Sequence, residues 1–115
     1  MSPTQRALAD ARKEGYTAAI VERFNPHSKT RHDLFGFADL LLLTGANIVA
    51  VQVTSGANHS ARLAKIRAEP KARDWIQAGG LIEVWSYAKR GARGKRKLWT
   101  LRREAIVLED LQEVA

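Results

Sequence analysis

The sequence predicts an α/β domain in which a mixed sheet of about five strands is covered by helices. Two continuously apolar runs, residues 34–43 (LFGFADLLLL) and 48–54 (IVAVQVT), are joined by the turn residues Thr44-Gly45-Ala46-Asn47. Such runs suit adjacent central strands covered on both faces, and together they read as a buried hairpin. Helical segments stand before and after this pair, and two alternating segments close the chain. Buried central strands must be covered, so the helices are expected on the faces of the sheet.

Each element has a local cause. Ser2 followed by Pro3 starts a helix over residues 3–14, with Ala7, Leu8 and Ala11 at helical spacing before Gly15 stops it. Residues 16–24 (YTAAIVERF) are β-branched and aromatic enough for a strand, and Asn25-Pro26-His27-Ser28 is turn chemistry. After the hairpin, Ser55-Gly56 precedes a helix over about residues 58–68. Pro70 begins another, which Gly79-Gly80 ends. Residues 81–87 and 97–101 alternate like strands, and the acidic tail 105–115 (AIVLEDLQEVA) is weakly defined. No repeat or linker is visible, so residues 1–115 read as one domain.

Composition narrows the partners. A formal net charge of +7 predicts a long-range, salt-sensitive attraction to polyanions, nucleic acid first among them. A membrane-surface helix would need its cations on one amphipathic face, whereas here they crowd a glycine-broken segment. No apolar run approaches the roughly 20 residues that span a bilayer, and charges interrupt any signal-peptide core. Cysteine is absent, which removes disulfides, thiolate metal sites and a cysteine nucleophile and suits a reducing cytoplasm. The three histidines lack zinc-finger spacing, the serines show no nucleophile elbow, and no phosphate-loop lysine follows Thr44-Gly45-Ala46.

Asp39 lies in the most apolar stretch of the chain, where an isolated carboxylate is costly unless paired, hydrogen-bonded or bound to a metal. On the next strand, period-2 geometry puts Gln52 and Thr54 on one face and Val49, Val51 and Val53 on the other. Asp39 with Gln52 and Thr54 is thus a candidate cluster for a hard, oxygen-seeking cation such as magnesium. Equally, Asp39 can cap a strand end through backbone N–H groups while Gln52 and Thr54 satisfy each other.

The pattern Phe37-Ala38-Asp39 followed by Gln52-Val53-Thr54 resembles the PD-(D/E)XK, or restriction-endonuclease-like, nuclease superfamily. From about residue 3 to residue 107 the order is similar to the small archaeal-type Holliday-junction resolvases. The shared features are a first helix, Gly15, a strand with Arg23, a loop serine at Ser28, the aspartate hairpin, a helix, Gly79-Gly80 and a final strand pair. The resemblance implies a magnesium- or manganese-dependent DNA endonuclease, selective for branched DNA, with Asp39, Gln52 and the Val53 carbonyl on the metal. A homodimer follows if four-way junctions are cut symmetrically.

Gln52 stands where the family has a second carboxylate, and Thr54 stands in place of its lysine. Lys65, on the following helix, is the candidate substitute for that lysine. Glu22 is the favoured acid to restore the missing charge, ahead of Asp33, with Gln5 and Asp10 on the first helix at the family's other acidic position.

Residues 89–97 (KRGARGKRK) are the strongest electrostatic feature, since no acid occurs between Glu83 and Glu104. Lys89, Arg90, Arg93, Lys95, Arg96 and Lys97 are expected to track phosphates, and Arg62 to extend the patch, while Trp85, Tyr87 and Trp99 read as core. The competing expectations are a catalytically inactive DNA-binding module of the same fold and an RNA-binding or assembly protein using only this loop.

Overall fold

The computed structural model describes residues 1–111 of the chain. It is an α/β fold with a five-stranded mixed sheet in the order β1-β4-β5-β6-β7 and helices on both faces. Helix α1 (Pro3–Lys13) is capped by Ser2, whose Oγ accepts from the Gln5 amide at 3.1 Å, and fully buried Ala7 and Ala11 seat it against the sheet. Ala at both positions permits close approach.

The predicted strand over 16–24 is broken in two. Thr17–Ile20 (β1) pairs with β4, whereas Arg23–Asn25 (β2) leaves the sheet and, among the described residues, pairs only with Thr30–His32 (β3) as a separate two-stranded arm. The predicted strand over 34–43 shortens to β4 (Leu40–Leu43), because residues 34–38 close on themselves as a turn. β4 does pair antiparallel with β5 (Ile48–Ser55), in register Leu40 to Val51.

A single 3₁₀ turn (Gly56–Asn58) leads into α2 (His59–Arg67), and α3 (Pro70–Gln77) follows. β6 (Leu81–Arg90) runs parallel to β5 and continues, through a turn at 91–97, into antiparallel β7 (Leu98–Ile106). Both strands are longer than predicted, so Lys89 and Arg90 belong to β6, and Ala105 and Ile106 of the predicted tail belong to β7. Residues 112–115 of that tail lie outside the described residues.

Alternation along β5 divides the core. Val49, Val51 and Val53 face α1 together with Leu40, Leu42, Trp85 and Tyr87. Ala50 faces α2 and α3 with Ile82, Val84, Leu63 and Ile66. In the LLLL run Leu40 and Leu42 are fully buried on the α1 face, each such side chain contributing about 1.5–3 kcal/mol, while Leu43 is half exposed at the strand end. Gly80 is required by contact: a Cβ there would lie 2.3 Å from Trp75 Nε1, which donates to the Leu81 carbonyl at 2.8 Å. No helix among the described residues is long and apolar enough to cross a membrane.

Candidate metal centre and basic surface

β1 ends, β4 begins and β5 and β6 finish at the same end of the sheet, because β4 runs antiparallel to β1 and β5 while β6 runs parallel to β5. Asp39 enters β4 at this end. Its backbone is fixed on both sides, with its N–H donating to the Val51 carbonyl and its carbonyl accepting from Val21, each at 2.8 Å.

Its side chain is 3% exposed, and Oδ2 accepts from the Val53 N–H at 2.7 Å and from Gln52 Nε2 at 2.6 Å. Gln52 Nε2 also reaches Asp33 Oδ2 at 3.4 Å. Asp39 thus accepts from a strand backbone N–H, as the cap expectation has it, and meets Gln52, whereas no hydrogen bond among the described residues joins Thr54 to either.

Asp33 arrives through the turn 33–38. Leu34 and Ala38 exchange two backbone hydrogen bonds of 2.9 Å, and the turn is closed by Phe35 and Gly36 at φ 56° and 81°. A left-handed phenylalanine is strained by about 1–3 kcal/mol, and its ring is held against Trp75, centroid to centroid 6.2 Å. Glu22 follows β1 directly. Ligand atoms of Glu22, Asp33 and Asp39 lie within 4.8 Å of one another.

This crowding has an electrostatic signature. Burial, then hydrogen bonding with Asp33 and the like charges of Asp33 and Glu22, push Asp39 from 3.8 up to about 8 against the opposing Val53 N–H. The nearest ion pair is weak: Arg31, itself exposed, stands 3.9 Å from Glu22.

Gln52 is 2% exposed, and its Oε1 is buried without a hydrogen-bond partner. Rotating the amide would turn that oxygen toward Asp33 and Asp39, which is repulsive unless a cation lies between them. The three carboxylates suit a hard divalent cation, and the amide oxygen joins them only in the rotated orientation. Strand alternation turns the Val53 carbonyl to the β4 edge of β5, the edge from which its N–H meets Asp39.

The predicted residues separate into those at the centre and those away from it. Asp39, Gln52 and Glu22 meet there, and Asp33 joins Glu22 rather than yielding to it. Gln5 lines a 260 Å³ cleft with Glu22, Phe24 and Arg31, whereas Asp10 accepts from Tyr87 Oη at 2.7 Å. Thr54 is buried on the Gln52 face and neighbours Ser86 across the β5–β6 ladder.

Lys65, the expected substitute for the missing lysine, is exposed: α2 buries His59, Leu63 and Ile66, and Lys65 falls off that face into solvent. Among the described residues no hydrogen bond or ion pair joins it to the acids.

Arg93, Lys95, Arg96 and Lys97 are exposed in the β6–β7 turn, next to Lys89 and Arg90, and Arg62 is half-buried on α2. Trp85 and Tyr87 are core, as expected, but Trp99 is 50% exposed. It is bracketed by cations instead, with Arg6 at 4.4 Å and Lys89 at 5.3 Å from its ring centroid.

A second polar cluster went unnoticed in the sequence. His59 is fully buried at the start of α2, with Nδ1 hydrogen-bonded to Ser86 Oγ at 2.6 Å and Nε2 to Glu104 Oε1 at 3.0 Å. Its only sequence signal is a histidine three residues after a strand-ending Ser55-Gly56. No protein-family model, no curated protein and no solved structure matches this chain.

Proposed function

We propose that this chain is a metal-dependent DNA endonuclease of the restriction-endonuclease-like fold, hydrolysing phosphodiester bonds in branched or linear DNA. The observation that carries the proposal is the cluster of Glu22 and Asp33, both partly buried, with buried Asp39, beside a Gln52 whose Oε1 has no hydrogen-bond partner among the described residues. Its support is the juxtaposition of that set with a basic hairpin at the same end of the sheet.

Magnesium or manganese held by these oxygens would supply Lewis acidity, activating water and neutralising charge on a phosphate. The chain's own residues do the holding. Asp39 is locked by two backbone bonds and the Val53 N–H, and Gln52 presents either amide face to the carboxylates. Glu22 and Asp33 supply the charge that Gln52, an amide, does not. Lys89, Arg90, Arg93, Lys95, Arg96 and Lys97 bind phosphates without reading bases.

The test is cleavage of four-way-junction and linear DNA with magnesium or manganese, in wild type and Asp39→Asn. Metal-dependent cutting that Asp39→Asn abolishes, with DNA binding retained, is the expected result. A second reading, a DNA-binding module without catalysis, is favoured by one observation: among the described residues no cation pairs with Asp33 or Asp39. DNA binding with no cleavage and no response to metal would establish it instead. Junction cutting further implies a homodimer, which sedimentation with and without DNA decides.

A further inference from the structure

The arm formed by β2 and β3 stands apart from the five-stranded sheet. It spans residues 23–32, is exposed throughout, and forms its own two-stranded sheet in the register Arg23 to His32 and Asn25 to Thr30. Asn25 Oδ1 closes its tip by accepting from the His27 and Ser28 amides at 2.9 and 3.4 Å. A chain of side-chain hydrogen bonds, Ser28 to Thr30 at 2.6 Å and Thr30 to His32 at 2.9 Å, stiffens one side of it.

Ten residues without an acid carry Arg23, Lys29 and Arg31, and neither Arg23 nor Lys29 has an ion pair among the described residues. Exposed, uncompensated cations on an ordered hairpin are poised for a polyanion.

The roots of the arm matter most. Glu22 immediately precedes β2 and Asp33 immediately follows β3, so the arm grows directly out of two of the three clustered acids. It leaves the sheet at the end where the β6–β7 turn also projects. In the sheet order β1 and β6 are three strands apart and β1 and β7 four. At about 4.8 Å per step the two basic hairpins rise from points on the order of 14–19 Å apart, with Glu22 and Asp33 at the root of the arm and Asp39 on the side toward the other hairpin. That span exceeds a major groove of about 12 Å, as required for two elements that grip backbones on either side of one groove.

Phosphate brought to three carboxylates is repelled unless cations flank the approach, and those cations stand on both sides. We propose that the 23–32 hairpin is a second phosphate-binding arm, which with the β6–β7 hairpin clamps DNA backbone across the acidic cluster. This rests on the nucleic-acid reading above, but not on catalysis.

The test uses the full chain and a fluorescently labelled DNA duplex in EDTA, titrated over a range of salt. Arg23→Glu/Lys29→Glu leaves Arg31, the partner of Glu22, in place, and Arg23→Gln/Lys29→Gln is the gentler variant. Expected are a loss of affinity of about tenfold or more for the reversal, less for the neutralisation, and a salt slope shallower by about 2. Metal-induced stabilisation by manganese alone should match wild type in both variants, since neither changes a clustered acid. With magnesium, any cleavage should show a raised KM at unchanged kcat.

Unchanged affinity and slope in both variants overturn the arm and leave the nuclease proposal standing. Arm-dependent binding without cleavage supports the arm and removes the nuclease. Failure of wild type to bind DNA removes both.

Discussion

Two polar clusters, each built around one buried side chain, lie on the same face of this sheet, and they are opposites. At β6 and β7, His59 has both ring nitrogens occupied, by Ser86 and Glu104, and Glu104 is further paired with Arg102 at 3.0 Å. At β4 and β5, three carboxylates crowd together, Asp39 is driven up to about 8, and Gln52 Oε1 has no partner. The first cluster is complete as it stands and ties α2 to two strands. The second leaves a buried acceptor without a partner among the described residues and crowds like charges. A satisfied buried network stabilises a fold, whereas unpaired polar atoms and crowded charges cost stability.

Breaking the complete cluster should have the largest effect on stability. His59→Ala leaves the Ser86 hydroxyl without its partner and Glu104 with Arg102 alone, and opens a cavity, so about 3 kcal/mol is expected to be lost in urea unfolding. A loss below about 1 kcal/mol would erase the contrast between the clusters.

Asp39→Asn should act in the other direction. The folded pKa of Asp39, about 8, exceeds the ordinary 3.8, so folding takes up a proton between those values. Its contribution is fully present below about pH 4 and declines as pH rises through 8. Wild-type stability should therefore carry a downward slope across this window, which Asp39→Asn flattens while gaining about 1 kcal/mol or more at pH 8. An identical slope in both proteins, measured by unfolding at several pH values without metal, would count against the crowded-acid description.

Gln52→Glu sharpens the comparison. A fourth carboxylate should tighten manganese binding, measured by calorimetry, by about tenfold, and lower metal-free stability by repulsion. Unchanged affinity would mean that Gln52 does not face the ion. Trp99→Ala, at a half-exposed ring held by Arg6 and Lys89, should cost only about 1 kcal/mol or less in urea unfolding.

The legible part of the fold was the part in which hydrophobic period and strand pairing agree. The β4–β5 hairpin, the opposed faces of β5 and the glycine stops follow from apolar runs and turn residues. Asp39 and Gln52 stood out because polar groups in apolar strands demand partners. Asp33 did not, since its approach depends on Phe35 taking a left-handed conformation that aromatic residues rarely adopt, and LFGF reads as strand. Residues 16–24 likewise look continuous, and only the tertiary capture of Val21 by Asp39 shows where the strand breaks. Trp99 alternates like a core residue, but β7 is the sheet's edge, with one side of that position open.

The self-contained ladder of the 23–32 arm has an evolutionary consequence. Because β2 and β3 pair only with each other, residues can be added or removed in cross-strand pairs at the tip without moving Glu22 or Asp33 at the base. Arm length is thus free to drift, and with it the reach toward a partner, while the spacing of the acids is held by the sheet. Natural variation and deliberate engineering should both find the tip permissive and the base intolerant, so that the arm's length can change by insertion while the three acids beneath it stay in place.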